Sequence, residues 1–147
     1  MSATQNAVLM AITAARAASE LKATSIKAID VSSRLVFTDV FLVLSGSTER
    51  QVRAIVDAVD EAVEKSGHPR LRREGLEGEA HWVILDFGDL MVHIQQDTDR
   101  EFYALEKLWS DCPDIQLPED IRAYESDDEE SQASDLGQYF DFSDLGN

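Results

Sequence analysis

Residues His81–Trp109, HWVILDFGDLMVHIQQDTDREFYALEKLW, constrain the fold more than any other part of the chain. Strand side chains alternate between faces with a period of two. With a two-residue turn at Phe87-Gly88, or a four-residue one from Asp86 to Asp89, Asp86 lies opposite Asp89 and Leu85 opposite Leu90. One face of the hairpin then carries Val83, Leu85, Leu90, Val92 and Ile94. The other carries Trp82, Ile84, Asp86, Asp89, Met91 and His93, with His93 directly opposite Trp82. A one-residue slip would move a strand's whole apolar set across the sheet, so the aliphatic uniformity of the first face supports this sorting. That face is the expected seat for helices. The mixed face holds residue types enriched at protein contacts, where aromatics and Met are common.

After the hairpin, Thr98-Asp-Arg-Glu101 has the form of a capping box. Phe102, Leu105, Leu108 and Trp109 beyond it make an apolar stripe for one amphipathic helix. Tyr103 falls roughly 100° round from core-facing Phe102, at the margin of the mixed face. Upstream, Ala7–Leu21 reads as an Ala-rich helix and Ile26–Val31 as a short strand. Phe37–Leu44, FTDVFLVL, is nearly continuously apolar and is predicted to be a central strand. Asp39 stands out there and is expected at the strand's exposed start or bonded to nearby backbone. Ser45-Gly46-Ser47 ends that strand. Thr48 and Gln51 form a second capping-box pattern, and Val52, Ile55, Val56, Val59 and Val63 repeat at helical spacing up to Gly67. Arg70–Arg73 suits a charged edge strand. The order predicts one α/β domain over residues 1–112, a mixed sheet of about five strands with helices packed on it.

Residues 113–147 read as an acidic tail, disordered from about Pro118, since few aliphatics offset its ordering entropy. From Asp111 onward there are 12 acidic residues and one basic, Arg122, out of a net charge of −16. Direct nucleic-acid binding is disfavoured, because phosphate contacts need clustered Lys and Arg. A basic protein partner is electrostatically easier. No window approaches the roughly 18 consecutive apolar residues of a membrane span, so no membrane partner is expected. The first residues carry no signal-like stretch, and the single cysteine, Cys112, fits a reducing cytoplasm. His68, His81, His93 and Cys112 make no metal-ligand spacing. No Ser-His-Asp or Cys-His arrangement can be argued, and neither cofactor, metal nor catalytic residue is assigned.

Four motifs in series, AIDVS (Ala28–Ser32), FTDVFLVLSGSTERQV (Phe37–Val52), W-x-x-LD-x-GD-x-x-VHI (Trp82–Ile94) and REFYALEKLW (Arg100–Trp109), resemble the Iojap family of bacterial ribosomal silencing factors and their organelle relatives. The resemblance implies a non-enzymatic factor that docks on the large ribosomal subunit through its ribosomal protein fourteen. It would thereby block joining of the small subunit and repress translation under nutrient limitation. Organelle relatives imply a role in large-subunit assembly from the same site. The partner-binding residues expected are Trp82, Asp86, Asp89, Met91, His93 and Tyr103. The mixed face also suits an isologous homodimer.

The resemblance also implies a nucleotidyltransferase-like fold, and hence a divalent-metal transferase as the alternative. Ser45-Gly46-Ser47 before a helix could cradle phosphate, and Asp86 with Asp89 could bind magnesium. Against this, Asp57 and Asp60 after the turn fall on a helix, the strand at Arg70–Arg73 has no carboxylate, and the catalytic motif is not formed. Two carboxylates converging on a pocket beside Ser45–Ser47 would favour the enzyme. A broad, shallow aromatic surface would favour docking.

Overall fold

The computed structural model describes residues 2–124. The elements are helix α1 (Gln5–Glu20), strands β1 (Ser25–Asp30) and β2 (Val40–Gly46), helix α2 (Glu49–Lys65), strands β3 (Arg72–Glu74), β4 (Trp82–Asp86) and β5 (Leu90–Gln96), and short helices α3 (Asp97–Tyr103) and α4 (Leu105–Leu108). The five strands form one mixed sheet in the order β1-β2-β5-β4-β3. Central β2 and β5 are parallel, and the three outer pairings are antiparallel.

Helices α1 and α2 cover one sheet face. Val52, Ile55, Val56, Val59 and Val63 of α2 are wholly buried, and so are Val83, Leu85, Leu90, Val92 and Ile94 of the hairpin. Each such side chain taken from water stabilises the fold by about 1.5–3 kcal/mol. The apposed face of α1 is alanine, with Ala7, Ala11, Ala14, Ala15 and Ala18 all buried. Asp39 precedes β2 and caps α1 from outside: its Oδ2 accepts the Thr4 N–H at 2.9 Å. Asp30 does the same for the Ala3 N–H.

The hairpin register differs from the expected one by two residues. Asp86 pairs with Met91, Leu85 with Val92, and Trp82 with Gln95 rather than His93. The turn is Phe87–Leu90, closed by the Phe87 N–H on the Leu90 carbonyl at 2.9 Å. Gly88, at φ 89°, takes the first central position, where a positive φ admits glycine and would strain Phe87. A shift of two keeps parity, so both faces hold the expected residues. Strand β2 starts three residues later than expected and runs through Gly46, and β3 runs to Glu74.

The last helix is not one helix. Ala104 sits in the left-handed region at φ 48°, ψ 50° and separates α3 from α4. The break turns the stripe apart: Leu105 is buried and Trp109 half-buried, but Phe102 is 79% exposed and Leu108 66%. Phe102 is therefore not core-facing. Nor does Thr98 cap: α3 starts at Asp97 after Gln96, which makes no side-chain cap bond.

The boundary at Pro113 also moves. Residues 113–124 strap the open edge of β1, with the Asp30 N–H on the Pro113 carbonyl, the Ile115 N–H on Ala28 and the Tyr124 N–H on Ala23. Ile121 is buried, Leu117 packs on the core, and Asp120 pairs with Arg16. These few aliphatics suffice because the strap borrows its backbone partners from an existing strand edge. The rest of the predicted tail, residues 125–147, lies outside the described residues.

Candidate functional site

The second sheet face is built on β2, β5 and β4. Ile29, Val31, Phe41, Val43, Met91, Leu105 and Cys112 are buried there as a smaller core, with Leu35, Trp82, Ile84 and Trp109 packed at its edge. Helices α3 and α4 descend over it, which buries two residues expected at the surface. Met91 is 8% exposed and His93 5%. Trp82 and Asp86 are half-buried, Asp89 is exposed in the turn, and Tyr103 is 46% exposed. The structure thus groups Trp82 with Tyr103 on the surface and places Met91 and His93 beneath.

Aromatic contacts run across the face. Phe102 packs edge-on against Tyr103 at 5.0 Å between centroids, and Tyr103 tilts onto Trp82 at 4.8 Å. Trp82 reaches His93, His93 meets Phe41 at 4.6 Å, and Phe41 meets Trp109 at 5.1 Å. The indole Nε1–H of Trp82 donates to His93 Nδ1 at 3.1 Å. An indole can only donate, so Nδ1 is unprotonated and the imidazole proton sits on Nε2. Burial pushes the His93 pKa down to about 4. A neutral, buried histidine therefore fixes the plane of a half-buried tryptophan. His81 is its opposite: Nδ1 lies 2.8 Å from Asp99 and Nε2 2.9 Å from Glu79. The bond to Asp99, then that to Glu79, raises its pKa above the usual value.

The acidic pair does not converge. Asp86 Oδ1 accepts the Gly88 N–H at 2.9 Å, and Oδ2 lies 3.5 Å from Arg72. Its carboxylate shapes the turn while Asp89 points to solvent. Beside Ser45–Ser47 the phosphate cradle is already filled. Gln51 Oε1 accepts the Ser47 N–H at 2.7 Å and the Ser47 hydroxyl at 3.1 Å, and its Nε2 donates to the Leu21 and Lys22 carbonyls. The Thr48 hydroxyl accepts the Gln51 N–H at 3.1 Å, so the expected capping box is half formed. A groove of about 510 Å³ lies instead along β1, between Thr24–Ala28 and the strap at Asp114–Leu117, where Asp114 pairs with Lys27. Among the described residues no three His, Cys, Asp or Glu side chains cluster as metal ligands.

Phe102 and Phe37, expected in a core helix and a strand, are exposed, and so is Val36, which had no assignment. Periodicity assigns an apolar residue to the core by default, and no local signal marks the left-handed Ala104.

Comparison with known proteins bears on this geometry. Residues 4–139 match the family described as ribosomal silencing factor during starvation. The chain is similar to Ribosomal silencing factor RsfS of Halalkalibacterium halodurans, 36% identical over 104 residues that cover 71% of this chain and 88% of that protein. It is similar to the chloroplastic protein Iojap of Zea mays, 33% identical over 76% of this chain and 48% of that one. Mitochondrial assembly of ribosomal large subunit protein 1 of Mus musculus is 31% identical over 56% of this chain and 37% of its own length. A crystal structure from Chromobacterium violaceum superposes with a TM-score of 0.65 at 29% identity, over 80% of this chain and 91% of that one.

Proposed function

The chain belongs to the ribosomal silencing factor family, and we propose that it docks on the large ribosomal subunit through ribosomal protein fourteen. A small rigid domain on the inter-subunit surface occupies room the small subunit needs, so joining is blocked and translation is repressed under nutrient limitation. The action is steric and takes place in the cytoplasm; no reacting group is assigned to it. The observation that carries this reading is Trp82, a half-buried indole whose plane is set by His93 below and Tyr103 beside it. Pre-oriented aromatics make strong contacts because little side-chain freedom is lost on binding. Asp89 at the margin suits the basic side chains typical of ribosomal proteins.

Co-sedimentation with purified large subunits, paired with a melting curve for each variant, tests this. Trp82→Ala is expected to weaken binding about thirtyfold or more, the effect of truncating a central interface aromatic. Asp86 is committed to the turn, so Asp89→Lys is the cleaner charge test. It should weaken binding more at low salt than at high. Folded Trp82→Ala and Asp89→Lys proteins that bind like wild type would show that the face is misassigned. A second reading, an assembly factor using the same face, is favoured by the name of the mouse relative. Depletion should then leave immature large subunits rather than an excess of joined ribosomes.

A further inference from the structure

Residues 31–39 form a closed loop that presents two apolar side chains to solvent. The Val31 N–H donates to the Asp39 carbonyl at 2.9 Å and ties the loop's ends together. The Arg34 and Leu35 N–H groups both donate to the Val31 carbonyl. Asp30 Oδ1 accepts the N–H and the hydroxyl of Ser32. The Arg34 guanidinium lies over Trp109, 4.6 Å from its ring centroid, and pairs with Asp111 at 2.8 Å. Leu35 packs into the smaller core, yet Val36 is fully exposed and Phe37 63% exposed. A Val-Phe pair held outward on a loop pinned at this many points is pre-organised for a contact.

We propose that Val36 and Phe37 are a second contact element of the docking face, received by an apolar hollow with basic flanks on the same ribosomal protein. The proposal rests on docking to the large subunit. Two observations choose this occupant. The loop is continuous with the hairpin tip: the Asp39 and Val40 N–H groups both donate to the Asp89 carbonyl, at 2.9 and 3.1 Å. On its other flank Arg34 Nη1 donates to the carbonyl of Leu108, itself an exposed apolar residue. The electrostatics then disfavour a phosphate backbone. The loop's own cation is spent on Asp111, and Asp89, joined to the loop through its backbone carbonyl, is exposed. An RNA strand would meet negative charge there, whereas a basic protein surface would be attracted.

The test uses the full chain and purified large subunits. A photoreactive phenylalanine analogue at position 37 is expected to cross-link to one ribosomal protein. A cross-link to ribosomal RNA alone, or none, would overturn the proposal. The double variant Val36→Ser, Phe37→Ser should bind about tenfold more weakly or worse with its melting temperature unchanged, since both side chains already face water. Should that variant fold poorly, Val36→Ser alone carries the test, as its side chain touches no core residue. If the folded loop variant binds like wild type while Trp82→Ala does not, the loop is no contact and the docking reading stands. If both bind like wild type, both fall.

Discussion

His93 does its work by staying neutral. Its folded pKa of about 4 lies below the unfolded value of 6.5, so between those pH values the unfolded chain binds a proton that the folded chain refuses. The His93 contribution to stability is complete above pH 6.5 and is lost as pH drops toward 4, by about 3 kcal/mol for a shift of this size. Thermal melts of wild type and His93→Gln across pH 4–7 check this. The wild type should lose stability on acidification more steeply, and parallel slopes would contradict the assignment. Gly75 is the other residue under Trp82. Its φ is +100°, and an added Cβ would lie 2.1 Å from the Trp82 carbonyl oxygen. Gly75→Ala should cost about 2 kcal/mol or more and shift the Trp fluorescence, because the start of β4 must move. An unchanged melt and spectrum would show that the loop gives way freely. The sequence placed Trp82 and His93 on one face because parity survives a two-residue slip. It could not make His93 a support rather than a contact, since that depends on α3 lying over it. Gly75 carried no signal, for its necessity comes from a carbonyl seven residues away in sequence.

At the scale of elements, α2 and α3 differ in what holds them. Helix α2 has a Thr48 cap and five wholly buried side chains at helical spacing, and it was legible for that reason. Helix α3 buries no side chain and has no side-chain cap. It is held by the Thr24 hydroxyl on Asp97, by His81 on Asp99 and by Tyr103 on Trp82. Its break at Ala104 is set by packing of Leu105 and Trp109 into the smaller core, which outweighs the left-handed strain of roughly 1–2 kcal/mol and leaves no trace in local sequence. Amides of α3 should therefore exchange with deuterium faster than those of α2, and large-subunit binding should slow them. The His81 clamp adds a pH dependence of known sign. Its folded pKa is raised, so its contribution is complete below the unfolded value and is lost as pH rises through the folded one. After correction for intrinsic rates, α3 exchange should quicken with rising pH in the wild type and not in His81→Ala. Equal pH profiles for the two proteins would remove the clamp.

For the whole molecule, charge and the strap decide where the domain ends. Composition alone put the boundary at Pro113, because acidic residues dominate from Asp111 on. Burial instead follows strand edges. Residues 113–124 complete β1 and shield its open backbone groups, and they contribute Ile121, Leu117 and the hydrogen bonds of Ser19 with Arg122. Residues 125–147 hold eight of the 29 acidic side chains and no Lys or Arg. Two truncations separate these parts. Ending the chain after Pro118 removes Ile121 and the Tyr124 N–H bond to Ala23, so it should lower stability by about 2 kcal/mol or more, the cost of a buried aliphatic together with its neighbours. Ending it after Tyr124 should leave the melting temperature unchanged and large-subunit affinity at high salt intact. At low salt, loss of eight negative charges should slow association with a basic surface while dissociation stays the same. Stopped-flow association and dissociation rates at two ionic strengths distinguish the outcomes. A faster dissociation after removal of residues 125–147 would mean that they touch the partner directly, and a loss of melting temperature would mean that the domain extends past Tyr124.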